Sequence, residues 1–248
     1  MCGICGEFKF NNESFDQKKL DNLMNSISKR GKDSSGTYAD NSIFLGHHRL
    51  AIIDTSEKSN QPMKVGNYVI VFNGVIFNYP TLRRELIKKG HIFKSDGDTE
   101  VIIRAYIEFG EKCVDRFDGV FAFCIYDSKE NNIFLARDRI GIKPLYYLNE
   151  NNKFYFSSHI KGIIKNMRSP EINPIALNYQ FTLHSVVPAP YTIINNIKKL
   201  EPGYTLTISK SGKMRKRKYF DINEIEIKEY SDNEINENIS TLLTSAIE

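Results

Sequence analysis

Two cysteines fall within the first five residues, in "MCGICGEF", and the first directly follows the initiator methionine. A C-x-x-C pair suggests redox or metal chemistry. A thioredoxin-type pair, however, follows a core strand and opens a helix whose N-terminal dipole lowers the thiol pKa, and nothing precedes this one. A zinc site needs two further ligands. Cys113 and Cys124 are not a close pair, and His47 and His48, adjacent on a predicted strand, face opposite ways. The position of Cys2 offers another chemistry. Initiator methionine is normally trimmed when the second residue is as small as cysteine, which leaves Cys2 with a free α-amine. An α-amine titrates at about 7.7 to 8.0 and a cysteine thiol at about 8.5, so one residue could supply both nucleophile and base. Many chains begin Met-Cys without such chemistry, so the reading needs support from elsewhere in the sequence.

Elements that could position a pocket are legible along the chain. "GICGEFKF" reads as a short strand with Ile4, Phe8 and Phe10 on one face, and "SFDQKKLDNLMNSISKRG" as an amphipathic helix carrying Leu20, Leu23, Met24 and Ile27. "SIFLGHHRLAIID" and "YVIVFNGVIFN" are apolar runs of branched and aromatic residues, hence strands. "YPTLRRELIKKG", with Pro80 near its start and Gly90 at its exit, and "DTEVIIRAYIEFG" read as consecutive helices. From Gly119 onward come hairpins: "VFAFCIYD" and "IFLARDR" around "SKENN", then "PLYYL" and "KFYFSS" around "NENN". A short helix is expected from Asn173 and Pro174, then a Pro-rich connection and a hairpin turning at "KSG". The last stretch, "SDNEINENISTLLTSAIE", has a capping box at Ser231 and Glu234 and an apolar stripe of Ile235, Ile239, Leu242, Leu243 and Ala246. Strands dominate and helices come in runs, so the predicted class is α+β on antiparallel sheets.

Composition narrows the partners. The 248 residues are 41% hydrophobic and 26% charged, an ordinary globular balance able to bury a core. The start is too polar for a signal peptide, and no run approaches the roughly 18 apolar residues of a membrane span. A cytoplasmic protein with reduced thiols and no membrane partner is expected. The net charge of +4 owes much to "KMRKRK" at 213–218, which is read as a solvated strand face and not a nucleic-acid surface.

Support for Cys2 comes from a resemblance. "MCGICG", "RGKDSSG", "GHHRLAIID", "QPM", "VFNGVIFN", "GDTEVI", "FDGVFAFCIYD", "ARDRIGIKPLYY", "FSSHIK" and "KKLEPG" occur in the order and near the spacing of the glutaminase domain of glutamine-hydrolysing asparagine synthetases. These are class II glutamine amidotransferases, a branch of the N-terminal-nucleophile hydrolases. The resemblance implies a four-layer αββα sandwich of two antiparallel sheets. It implies Cys2 as nucleophile, Asn73 and Gly74 as the oxyanion hole, Arg49 gripping the substrate α-carboxylate, and Asp98 receiving its α-ammonium. Backbone groups near Leu50, Ile52 and Ile53 would complete the pocket. The residue types suit these tasks. A side-chain amide and a backbone N–H can stabilise a tetrahedral oxyanion, and guanidinium matches a carboxylate in two parallel bonds. Taken alone, Asn73-Gly74 reads equally as a tight turn, Arg49 as a strand-surface residue and Asp98 as a helix N-cap.

The resemblance also implies an activity: glutamine and water give glutamate and ammonia through a γ-glutamyl thioester, the ammonia passing to a synthetase domain. Residues 1–220 would form the glutaminase domain, and 221–248 a linker and the first helix of that following domain. The "SGGxDS" loop of the synthetase half is absent, as are Walker A and G-x-G-x-x-G. No metal or cofactor is therefore expected in this segment, with ATP and magnesium confined to the synthetase half. The implied partners are glutamine and the synthetase domain; a homodimer is compatible with the resemblance. Supply of ammonia for a different acceptor, such as a surface sugar, and a non-catalytic module of the same fold are the alternatives. Three positions depart from the family: Val75 stands where glutamate usually helps hold the substrate amine, Lys32 where proline is common, and His159 where glutamate is usual.

Overall fold

The computed structural model describes residues 1–11, 13–224 and 229–247. Its strands are β1 (Gly3–Lys9), β2 (Ser34–Ala39), β3 (Ile43–Arg49), β4 (Met63–Val65), β5 (Tyr68–Ile76), β6 (Gly119–Asp127) and β7 (Asn132–Arg137). They continue as β8 (Tyr146–Glu150), β9 (Lys153–Ser157), β10 (Lys198–Lys199), β11 (Tyr204–Ser209) and β12 (Met214–Lys218). The helices are α1 (Gln17–Ile27), α2 (Tyr79–Lys88), α3 (Asp98–Phe109), α4 (Ile160–Ile164), α5 (Pro174–Thr182) and α6 (Asp232–Ile247).

Strand alternation distributes the apolar residues among three layers of core. Ile4 and Phe8 of β1 point between the sheets and meet Val71, Cys124 and Leu135. Cys5, from the opposite face of β1, packs with Leu20, Leu23 and Ile27 of α1 and Ile163 of α4. On the far side, Leu82 and Leu86 of α2 and Val101, Ile102 and Ala105 of α3 cover Ile70, Phe72, Phe121 and Phe123. Strands covered on both faces need no polar alternation, which is why "VFAFCIYD" reads as a continuous apolar run. The two six-stranded sheets run β10-β8-β9-β1-β3-β2 and β12-β11-β7-β6-β5-β4, and their strand pairs are antiparallel. The architecture is the expected αββα sandwich. Truncating Phe156, fully buried between the sheets, to alanine would cost roughly 3–5 kcal/mol.

Local expectations are met where the chemistry is local. Asp16 caps α1 through a bond from the Lys18 N–H, and Asn173 caps α5 ahead of Pro174. The turns at "SKENN" and "NENN" place Asn131, Asn151 and Asn152 at positive φ, where asparagine is tolerated. The Ser231–Glu234 capping box forms at 2.8 Å from the Ser231 N–H, and α6 exposes Ile235, Ile239, Leu242 and Leu243. The basic strand β12 is laced to carboxylates, Arg215 to Glu111 at 2.6 Å and Arg217 to Asp115 at 2.7 Å. His159 caps the short α4 through a bond from the Lys161 N–H.

Differences arise where pairing is tertiary. The strand predicted through Asp54 stops at Arg49, and residues 50–60 wrap into a loop with a single 3-10 turn. β2, whose "SSGTYA" lacks apolar alternation, forms an edge strand through its pairing with β3. Asn73 and Gly74 make no turn: they lie inside β5, opposite Ala122 and Phe121 of β6.

Candidate active site

Four segments converge on one cleft. Cys2 stands immediately before β1, Arg49 ends β3, Asn73 and Gly74 lie in β5 of the other sheet, and Asp98 opens α3. Cys2, Arg49, Leu50, Ile52, Ile53, Asn73, Gly74 and Asp98 all line this cleft, so every site residue predicted from the sequence is brought together. Cys5 is not: its thiol is fully buried against Met24 on the helix side of the sheet. All four cysteines are free.

At the reacting end, the Leu50 N–H donates to Cys2 Sγ at 3.3 Å. Burial pushes the Cys2 thiol up, while the Leu50 amide, the chain-terminal ammonium and Arg49 draw it back down. Arg30 Nε donates to the Cys2 carbonyl at 2.9 Å. Met1 lies along the cleft, its sulfur 3.6 Å from Lys143 Nζ. With Met1 attached, the nitrogen of Cys2 is a peptide amide whose lone pair is delocalised into the carbonyl, so it cannot act as a base.

The wall facing Cys2 is an open strand edge. β4 is three residues long and its pairing ends at Met63 opposite Ile70, so the edge of β5 beyond that point has no strand neighbour. Side chains replace the missing strand. Gln61 Oε1 accepts from the Phe72 N–H at 2.6 Å, His47 Nε2 lies 3.2 Å from the Phe72 carbonyl, and Asp98 Oδ2 accepts from the Ile76 N–H at 3.0 Å. Backbone groups two residues apart on a strand point the same way. The Gly74 N–H therefore projects toward the cleft between the Phe72 and Ile76 sites, and no side chain among the described residues accepts from it. Beside it, Asn73 Nδ2 is buried and has no hydrogen-bond partner. An unsatisfied buried amide costs about 1–3 kcal/mol, and these two neighbouring donors have no acceptor among the described residues. Glycine at 74 is required by β6: a Cβ there would lie 2.2 Å from the Val120 carbonyl oxygen.

The far end of the cleft carries one charge of each sign. Arg49 is buried, with Nη1 donating to the Ser56 carbonyl and Asn60 Oδ1, each at 2.8 Å, and Nη2 donating to the Asp54 carbonyl. Of five guanidinium N–H groups, two stay open among the described residues. It is therefore a buried cleft residue and not the strand-surface arginine of the alternative reading. Asp98 is likewise not the N-cap; Gly97 holds that position and Asp98 starts the helix. Burial pushes the Asp98 carboxyl up to about 6 against the pull of the Ile76, Asp98 and Thr99 amides. Ile52 lines the cleft and is 66% exposed. Val75 lines the same cleft half-buried.

Sequence reasoning did not point to Asp54, Ser59, Gln61 and Lys143, which also line the cleft, or to the contact of His47 with the Phe72 carbonyl. Gln61 also donates from Nε2 to Thr99 Oγ1 at 3.1 Å, tying the loop to the first turn of α3. The signal for it was "QPM", a motif with no chemistry legible in its residue types. His47 is fully buried and its imidazole is pushed down to about 3 by burial, so it acts as a neutral hydrogen-bonding group.

Residues 1–220 match the family described as glutamine amidotransferase domain. The chain belongs to that family. Among curated relatives of this amidotransferase chain, "Asparagine synthetase [glutamine-hydrolyzing] 3" of Bacillus subtilis (strain 168) is 38% identical over 218 residues, covering 86% of the chain and 35% of the relative. "Putative asparagine synthetase [glutamine-hydrolyzing] 2" of Methanocaldococcus jannaschii is 38% identical over 254 residues, covering 93% of the chain and 46% of the relative. The chain thus spans between a third and a half of the length of these relatives. The solved glutamine phosphoribosylpyrophosphate amidotransferase of B. subtilis, complexed with ADP and GMP, aligns with a TM-score of 0.63 at 18% identity over 88% of this chain and 49% of its own. That likeness carries the fold of the amidotransferase domain. Among the described residues no helix is long and apolar enough to cross a membrane.

Proposed function

We propose that this chain hydrolyses glutamine to glutamate and ammonia with Cys2 as nucleophile and, once Met1 is removed, with the Cys2 α-amine as base. The amine takes the thiol proton and the thiolate attacks the side-chain carbonyl carbon of glutamine. The oxyanion is met by Asn73 Nδ2 and the Gly74 N–H. As the tetrahedral intermediate collapses, the ammonium on Cys2 protonates the departing nitrogen and ammonia leaves. A γ-glutamyl thioester remains, which water opens with the same amine as base. Arg49 and Asp98 hold the α-carboxylate and α-ammonium of the substrate. The observation that carries this reading is the buried, unpartnered Asn73 amide across the cleft from a thiol adjoining the chain terminus.

The ammonia is delivered to a synthetase domain that follows residue 220, for asparagine synthesis. The relatives' names and greater lengths support this, as does the uncovered apolar stripe of α6. One experiment tests the central claim: intact-mass measurement of the chain with glutamine, trapped in acid. The expected species lacks methionine and carries one glutamyl group, absent in Cys2→Ala. A methionine-bearing chain that turns over glutamine at the rate of the trimmed one would overturn the mechanism.

A further inference from the structure

Asp54 lies in the loop between Arg49 and Gln61 and has no place in the chemistry above, yet it joins the two segments that would hold the substrate head group. Its carbonyl accepts from Arg49 Nη2. Its Oδ1 accepts from the Ser56 N–H at 2.8 Å, and its Oδ2 accepts from Ser59 Oγ at 2.6 Å and from the Asp96 N–H at 2.9 Å. The first three bonds fold loop 50–60 around the Arg49 guanidinium. The fourth crosses to the turn that sets Asp98. The contact is close: a Cβ on Gly97 would lie 2.7 Å from Ser59 Oγ and 3.5 Å from Asp54 Cβ. The same turn is anchored to its own side by Glu100, which accepts from the Lys94 and Ser95 N–H groups, and by Arg83, which donates to the Ser95 carbonyl at 2.6 Å. Burial alone would raise the Asp54 carboxyl, but the serine hydroxyls and the Ser56 and Asp96 amides hold it well below the usual carboxylate range, so it stays ionised at the working pH.

We propose that Asp54 is a positioning residue that sets the distance between Arg49 and Asp98, and thereby the fit of the cleft to an α-amino acid head. The proposal rests on the glutaminase reading. Three donors converge on the two oxygens of one carboxylate, and asparagine cannot accept on both sides: its amide nitrogen would face either the Ser56 N–H or the Asp96 N–H. Gln61, bonded to Thr99, joins the same two segments at a second point, so Asp54→Asn loosens the grip without removing it.

In the trimmed chain, Asp54→Asn should raise KM for glutamine roughly tenfold or more while kcat stays within about threefold. Ser59→Ala, which deletes one of the bonds, should shift KM the same way by less. Alkylation of Cys2 separates the grip from the nucleophile. Iodoacetamide, which has no amino-acid head, should react with Asp54→Asn at the wild-type rate, and a chloroketone analogue of glutamine should react more slowly by about the factor seen in KM. Equal slowing of both reagents, or an unchanged KM, overturns the proposal while leaving the glutaminase reading in place. A wild-type chain that neither hydrolyses glutamine nor prefers the chloroketone removes the glutaminase reading, and the role of Asp54 with it.

Discussion

The two ends of the cleft are built by different means. The reacting end is set on paired strands: Cys2 enters β1, and Asn73 and Gly74 sit within a β5 ladder that runs nine residues against β6. The head-group end is assembled where elements stop: Arg49, the last residue of β3, is wrapped by the Ser56 and Asp54 carbonyls of the loop that follows, and Asp98, the first residue of α3, accepts from the Ile76 N–H. Strand pairing fixes donor positions to fractions of an ångström because every neighbour is bonded to a rigid ladder. Side chains at the ends of elements depend more on a few side-chain bonds and on the loop that follows. On the proposed mechanism, the donors aimed at the oxyanion occupy the first kind of site and recognition of the charged head the second. Substitutions at the reacting end should therefore act on kcat and those at the head-group end on KM.

The largest contrast is between the two thiols. Cys2→Ala should abolish glutamine hydrolysis and Cys5→Ala should leave most of it, since the Cys5 thiol is buried against Met24 and meets no substrate. Comparable losses of rate in the two variants would revive a dithiol mechanism. Next, Asn73→Ala should lower kcat by about a hundredfold or more with a smaller change in KM, the usual effect of removing one oxyanion donor. Steady-state kinetics showing an effect confined to KM would move Asn73 into the head-group end.

The head-group end should reveal itself through pH. The Asp98 carboxyl is pushed up to about 6 by burial, and it must be ionised to receive the ammonium of glutamine. Glutamine affinity should accordingly be full above neutrality and fall as the pH drops below about 6. Unliganded stability has the opposite sign. The native carboxyl binds its proton more tightly than the unfolded one, so its contribution to stability declines as the pH rises from about 4 to about 6. Both trends should vanish in Asp98→Asn, and a KM profile for that variant parallel to wild type would assign the titration elsewhere.

The smallest effect expected is at Val75. It lines the cleft half-buried on β5, so a carboxylate introduced there reaches solvent and the substrate ammonium together. Val75→Glu should lower KM for glutamine by up to about tenfold and leave kcat nearly unchanged, as expected for a contact equally strong in ground and transition states. A raised KM or a depressed melting temperature would mean that Val75 seals an apolar surface, and that the head-group end is shaped for weaker use of glutamine.

Much of this molecule was legible without coordinates because its determinants are local or periodic. The stripe Leu20, Leu23 and Ile27 specified α1, Asn173 ahead of Pro174 specified the start of α5, and the asparagines of the two hairpin turns specified positive φ. The resemblance named eight of the residues that line the cleft, and others, among them Asp54, Ser59, Gln61 and Lys143, were not named. Other features depended on partners distant in the chain. Nothing in "SSGTYA" announces a strand, because β2 is held by backbone bonds to β3 and owes little to its side chains. "LAIID" has the apolar density of a strand but leaves the sheet at Arg49, since the guanidinium draws the following carbonyls around itself. The open edge of β5 existed in no local pattern. It follows from the shortness of β4 and from Gln61, His47 and Asp98 arriving from three separate elements to bond the Phe72 and Ile76 main chain. The sequence by itself determined which faces must be buried, since that follows from residue type and spacing, and its family resemblance pointed to the side chains of the cleft. Tertiary structure alone decided which donors stay unpaired, because hydrogen-bond satisfaction depends on every group that folding brings within about 3 Å.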